Sequence, residues 1–142
     1  RIAGARLTTP SPSGSGESPH KSRPGFARIV AAGRYSAQGL RAAWRHEAAF
    51  RQEVVAGVLM IPVGLLLARG ATEAIVLVGA VVFVWIVELM NSAVEAVADA
   101  VTLDDHPLIA RAKDLGSAAV MLALLFAGAV WLAVLGPRLF GG

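Results

Sequence analysis

The chain has 142 residues, room for one domain at most, and 56% of them are apolar, with a mean hydropathy of +0.62. That balance excludes an ordinary water-soluble domain and points to the membrane. Absence of cysteine removes disulfide frameworks and thiol chemistry, while a net charge of +3 and a pI of 10.2 mark a basic protein. Nine of the 13 Lys and Arg residues lie in residues 1–53. A basic arm beside apolar spans belongs on the cytoplasmic face against anionic lipid, so no nucleic-acid partner is expected.

Residues 1–24 include Pro10-Ser11-Pro12-Ser13-Gly14-Ser15-Gly16 and predict a disordered, low-complexity tail. This stretch has no apolar h-region and does not read as a secretory signal peptide. From Gly25 to about His46 the pattern is helical but not apolar enough to cross a bilayer. Phe26, Ile29, Val30, Tyr35, Leu40 and Trp44 interleave with Arg28, Arg34, Arg41 and Arg45, as in an amphipathic helix lying in the interface. Gly33 and Gly39 are candidate breaks that would divide it in two.

Three spans are expected next, over about 48–68, 72–99 and 108–135. Pro62 lies inside the first and is tolerable where neighbours re-satisfy the freed carbonyl. The short Arg69-Gly70 turn makes spans one and two an antiparallel hairpin. Span two, at 1.5 Å per residue, reaches about 42 Å, so its end extends through the interface. Pro107 suits the first turn of the third span, and Gly136-Pro137-Arg138 is expected to end it. The fold class is therefore an all-α membrane protein with an N-terminal amphipathic surface helix and three transmembrane helices.

The most informative stretch is Glu88 to Asp99. At about 100° per residue, Glu88, Asn91, Ser92, Glu95 and Asp99 fall at roughly 0°, −60°, +40°, −20° and +20° on the second span. Three carboxylates, an amide and a hydroxyl thus share one stripe of a greasy helix. A charge at membrane depth costs roughly 2.5–3.5 kcal/mol on insertion scales, so such residues face a bundle interior or a polar pocket. Stacked carboxylates suit a hard cation such as Mg²⁺; a polar seam between helices would also account for them. With the basic arm inside, Glu47, Glu88, Glu95 and the charged residues of 104–114 converge on the cytoplasmic side. No P-loop, GxGxxG turn or zinc-spaced His/Cys cluster occurs. Carboxylates with Lys113, Arg28 and Arg111 are suited to a Mg-nucleotide, acids on the metal and bases on the phosphates. The physical reading leaves three classes open: a lipid-modifying enzyme, a proton or ion pathway, and a structural membrane subunit.

Three longer motifs narrow the choice. They are Gly25-Phe26-x-Arg28-Ile29 with Tyr35-Ser36-x-x-Gly39-Leu40-Arg41-Ala42-Ala43-Trp44-x-x-Glu47-Ala48-Ala49-Phe50-Arg51-Gln52-Glu53, the run Val87–Asp99, and Arg111-Ala112-Lys113-Asp114-Leu115-Gly116-Ser117-Ala118-Ala119-Val120. Together, over about residues 25–135, they resemble the bacterial diacylglycerol kinase family. The resemblance implies an integral membrane kinase, a homotrimer with sites between protomers, that passes the γ-phosphoryl of MgATP to diacylglycerol and makes phosphatidic acid in the bacterial inner membrane, with the N-terminus and the 100–110 loop cytoplasmic. Carried over by position, Glu88 matches the general base for the lipid hydroxyl and Asn91 the residue that supports it. Glu47 and Glu95 match the Mg²⁺ ligands. Arg28, Tyr35, Asp104, His106, Lys113 and Asp114 match positions around the nucleotide, to which Glu47 and Glu95 also belong. Arg28, Ser36, Arg41, Trp44, Ser117 and Trp131, with Glu88, match positions near the lipid. The Gly39–Glu53 run resembles the diacylglycerol branch more than the undecaprenol kinases of the same family.

Overall fold

A computed structural model describes residues 25–101 and 106–140, and every element among them is an α-helix: α1 (Gly25–His46), α2 (Ala48–Leu67), α3 (Ala71–Val101) and α4 (Pro107–Phe140). The expected tail and Asp104 lie outside the described residues. α2, α3 and α4 are each long and apolar enough to cross a membrane. At 1.5 Å per residue α3 is about 46 Å long, against a hydrocarbon core of about 30 Å.

The chain divides into two compact units after Ser36. In the first, Phe26, Ile29, Val30 and Tyr35 are exposed, and the Arg34 guanidinium sits 5.6 Å from the Tyr35 ring centroid, a cation–π contact. α1 runs unbroken through Gly33 and Gly39, contrary to the expected division. Neither glycine has a positive φ, so neither uses the conformational freedom that would have ended the helix.

In the second unit a corner separates α1 from α2. Glu47 takes an extended conformation (φ −103°, ψ 112°), which stops α1 at His46. Arg51, one turn into α2, reaches back and donates to the carbonyls of Trp44 (3.1 Å) and Arg45 (3.4 Å), satisfying helix-end groups that would otherwise lack partners. The corner is thus stitched from both sides, and Glu47 sits at its apex.

α3 is the central span and packs against both α2 and α4. Contact with α4 is made by small side chains: Ala80, Val84, Ala123 and Ala127 are buried, with Val87, Val130 and Trp131 against them. Small residues let backbones approach where no hydrophobic driving force separates helix from lipid. On α2, Gly57 serves the same end. A Cβ there would overlap the Trp85 indole and come within 2.7 Å of Val81 Cγ1. Both indole N–H groups of the bundle find backbone acceptors, Trp85 Nε1 on Glu53 O (3.0 Å) and Trp131 Nε1 on Leu77 O (3.1 Å). Inside a bilayer such donors need a protein partner. Large apolar residues such as Leu59, Leu66, Ile75, Ile86 and Leu132 face outward, as spans in lipid require.

α4 does not end at Gly136-Pro137-Arg138 as expected but continues to Phe140. Pro137 removes only one N–H from the ladder, and Arg138 holds the last turns in place. Its Nη2 lies 2.6 Å from both Glu73 oxygens, and its Nη1 donates to Leu67 O at 2.7 Å. Glu73 also accepts the Arg69 backbone N–H at 2.7 Å, so one clasp joins the end of α2, the 68–70 turn, the start of α3 and the end of α4. Substituting Gly57 by Ala should cost about 1–3 kcal/mol through overpacking against Trp85. The same change at Gly79, whose Cβ would meet nothing within 4 Å, should be neutral or mildly stabilising. Thermal midpoints of the two purified variants in one detergent check the contrast.

Candidate active site

The polar stripe of α3 faces the rest of the bundle, as its spacing requires. Glu88 is 3% exposed and is the one buried charged residue among those described, while Asn91, Ser92 and Glu95 are half-buried and Asp99 is exposed. Asn91 Nδ2 donates to Glu95 Oε1 at 3.0 Å, one helical turn on. Its resemblance-based role was to support Glu88; its hydrogen bond goes to Glu95. Asp99 accepts from Lys113 of α4 at 2.7 Å, an exposed ion pair that links the last turns of α3 to the second turn of α4.

Carboxylates from another element meet this stripe. Glu88 lies within electrostatic reach of both Glu95 and Glu47, and Glu53 of α2 within reach of Glu88. Lys113 is coupled to Asp99 and Glu95. Acids from the α1–α2 corner, from α2 and from α3 thus gather beside one lysine from α4. Negative charge in that excess calls for a cation. Among the described residues no group of three or more His, Cys, Asp or Glu is close enough to form a closed metal cage. The donor set is one of hard carboxylate oxygens, with Glu47 and Glu95 both within electrostatic reach of Glu88, and such oxygens are the chemistry that Mg²⁺ takes together with substrate phosphates.

Two hollows adjoin the cluster. Arg41, Trp44, Leu40, Arg45, Phe50, Val54 and Trp85 line an open, largely apolar groove of about 470 Å³. A smaller one of about 210 Å³ lies between α2, α3 and α4 and includes Glu53, Met60, Val84, Trp85 and Leu124 among its walls. Glu53 is half-buried there and its Oε2 has no hydrogen-bond partner. Glu53 is not among the site residues that the sequence motifs single out. The signal that would have found it is the four-residue step from Glu53 to Gly57, which puts the acid on the same inward face as the glycine packed under Trp85.

The remaining candidates are placed as follows. Arg28, Tyr35 and Ser36 are exposed residues of the first unit. Asp114 and Ser117 are exposed on α4, and His106 is exposed with its Nδ1 accepting the Leu108 N–H at 3.3 Å. Trp131 lies apart from the carboxylates. It is bound to Leu77, 11 residues before Glu88 and thus about 16 Å away along α3, and it packs over Gly64, where an added Cβ would come within 3.1 Å of its ring.

The fold and this site define a three-span helical membrane protein with a carboxylate-rich polar centre spanning the start of α2, the second half of α3 and the first third of α4. The profile of the family described as prokaryotic diacylglycerol kinase matches residues 34–135. Relatives named diacylglycerol kinase include that of Escherichia coli K12, 49% identical over 75% of this chain and 88% of its own length. The Pseudomonas aeruginosa PAO1 protein is 45% identical over 83% and 96%, and that of Helicobacter pylori 26695 is 37% identical over 81% and 89%. The chain belongs to the prokaryotic diacylglycerol kinase family.

Ser92 Oγ is buried without a hydrogen-bond partner, so Ser92→Ala removes a group whose burial is uncompensated. The variant should match or exceed the wild-type thermal midpoint in detergent, within about 1 kcal/mol of stability.

Proposed function

We propose that this membrane enzyme of the diacylglycerol kinase family transfers the γ-phosphoryl of MgATP to the hydroxyl of diacylglycerol, giving phosphatidic acid and ADP by direct in-line transfer. The observation that carries this reading is a carboxylate buried to 3% exposure, Glu88, set among the further acids Glu47, Glu53 and Glu95. A buried acid ringed by other acids is poorly explained as a helix seam, which needs matched donors. It is well explained as a base that works only once cation and phosphate are present.

The lipid oxygen attacks the γ-phosphorus, the bond from that phosphorus to the β–γ bridging oxygen breaks, and Glu88 takes the hydroxyl proton. Glu47 and Glu95 would hold Mg²⁺, which supplies charge neutralisation on the phosphates. Lys113, paired with Asp99 in the structure, would turn to the phosphates when the nucleotide binds. Arg28, Tyr35, His106, Asp114 and Asp104 are the further nucleotide candidates. Arg41 and Trp44, on the apolar groove beside Trp85, suit an acyl chain with its head at the interface. Ser36 and Ser117 are further lipid candidates by resemblance; Trp131, held by Leu77, is better explained as helix packing. Chemistry of this kind rests on positioning and electrostatics. Family resemblance further supports a homotrimer with sites between protomers, and the basic residues of 1–53 support a cytoplasmic N-terminus and 100–110 loop in the inner membrane.

The test is transfer of labelled γ-phosphate by purified protein in mixed micelles, with diacylglycerol and undecaprenol offered side by side. Labelled phosphatidic acid is the expected product, and labelled polyprenyl phosphate would move the substrate. Chelating Mg²⁺ should abolish transfer and adding it back should restore it. Glu88→Gln should lower turnover by about 10²–10⁴-fold while MgATP binding persists. Full turnover in that variant would remove Glu88 from the role of base.

A further inference from the structure

Gly116 lies where α4 crosses the polar stripe of α3. A Cβ built on it would overlap Asn91 Oδ1 and lie 3.2 Å from Asn91 Cγ and 3.8 Å from Asn91 Cβ. The α4 backbone therefore presses end-on against the Asn91 amide, and one Gly116 Cα–H points at its oxygen. That oxygen is buried and has no hydrogen-bond partner, apart from this weak C–H contact. The other end of the same amide donates to Glu95 Oε1 at 3.0 Å. The orientation is not free to reverse. Turning the amide over would set its oxygen against the Glu95 carboxylate, acceptor on acceptor. Among the described residues no other hydrogen-bond donor reaches Glu95.

We propose that Gly116 is a positioning residue for the metal-binding carboxylate. By letting α4 close on Asn91, it clamps the amide in the one orientation that ties up Glu95 Oε1 and leaves Glu95 Oε2 for the cation. The inference rests on the reading of Glu95 as a Mg²⁺ ligand. It explains a feature that packing alone does not: a buried amide oxygen left without a partner so that the opposite nitrogen stays fixed on the acid. Groups that orient a ligand from behind typically alter metal affinity by about 10–100-fold when removed.

The experiment compares the purified full chain with Gly116→Ala, Asn91→Ala and the double variant. Two readouts are taken: the Mg²⁺ concentration for half-maximal transfer, and Mn²⁺ binding by electron paramagnetic resonance with a non-hydrolysable ATP analogue, which needs no turnover. Gly116→Ala should raise the Mg²⁺ requirement and weaken Mn²⁺ by about tenfold or more, with the KM for diacylglycerol unchanged. Asn91→Ala should do the same, and the double variant should show no further shift because the contact is already gone. A wild-type Mg²⁺ requirement in Gly116→Ala, or fully additive shifts in the double variant, would overturn the proposal. If Gly116→Ala does not fold, Asn91→Ala decides: a raised requirement supports the clamp and an unchanged one overturns it. Glu95→Gln separates the underlying reading. If it leaves Mn²⁺ binding intact, Glu95 is not a ligand and both readings fall. If it weakens binding while Gly116→Ala does not, only the clamp falls.

Discussion

A bilayer offers no water to a buried charge, and the rest of this structure follows from where that demand is met. Glu88 sits just past the middle of a helix whose preceding residues are almost wholly apolar, and it is 3% exposed. A carboxylate there needs neighbours that make its burial tolerable or useful. Those present are mostly other acids: Glu47 at the α1–α2 corner, Glu53 on α2 and Glu95 one face along α3. Lys113 pairs with a further acid of α3, Asp99. The surplus negative charge is what the proposed Mg-nucleotide would offset.

Holding such a centre open requires rigidity elsewhere. At the far end Arg138 binds Glu73 and Leu67, closing three helices into one clasp. Through the middle, alanines on α3 and α4, with Gly57 under Trp85, bring backbones close enough for dispersion contacts to replace the missing hydrophobic drive. Trp85 and Trp131 each tie the indole N–H to a carbonyl of a neighbouring helix, which fixes rotation as well as distance. Near the polar end the corner at Glu47, stitched by Arg51, delivers a carboxylate from outside the α3 stripe. The bundle around the site is therefore held by packing and backbone bonds, while within it Lys113 pairs with Asp99 and the Asn91 amide with Glu95.

Much of this was legible beforehand. The 3.6-residue period alone placed Glu88, Asn91, Ser92 and Glu95 on one stripe, and that stripe does face the bundle. The α2 boundaries follow from an apolar run ended by Arg69-Gly70. Expectations that rested on local punctuation fared worse. Gly33 and Gly39 did not break α1, and Gly136-Pro137 did not end α4. Glycine and proline only weaken a helix locally, and whether the chain continues depends on what grips it beyond, here Arg138 on Glu73.

By itself the sequence determined the number of spans and the presence of a carboxylate stripe, because both depend on composition and periodicity along one stretch of chain, and three motifs carried the resemblance to the family. Tertiary structure alone decided which acids from other helices meet Glu88, that Trp131 binds Leu77 far from them, and that Asn91 serves Glu95 with Gly116 behind it. Those relations depend on how close two helices come and on their rotation about their own axes. Interhelical distance and rotation are set jointly by both partners' side chains, and no single stretch of sequence contains both halves of that fit.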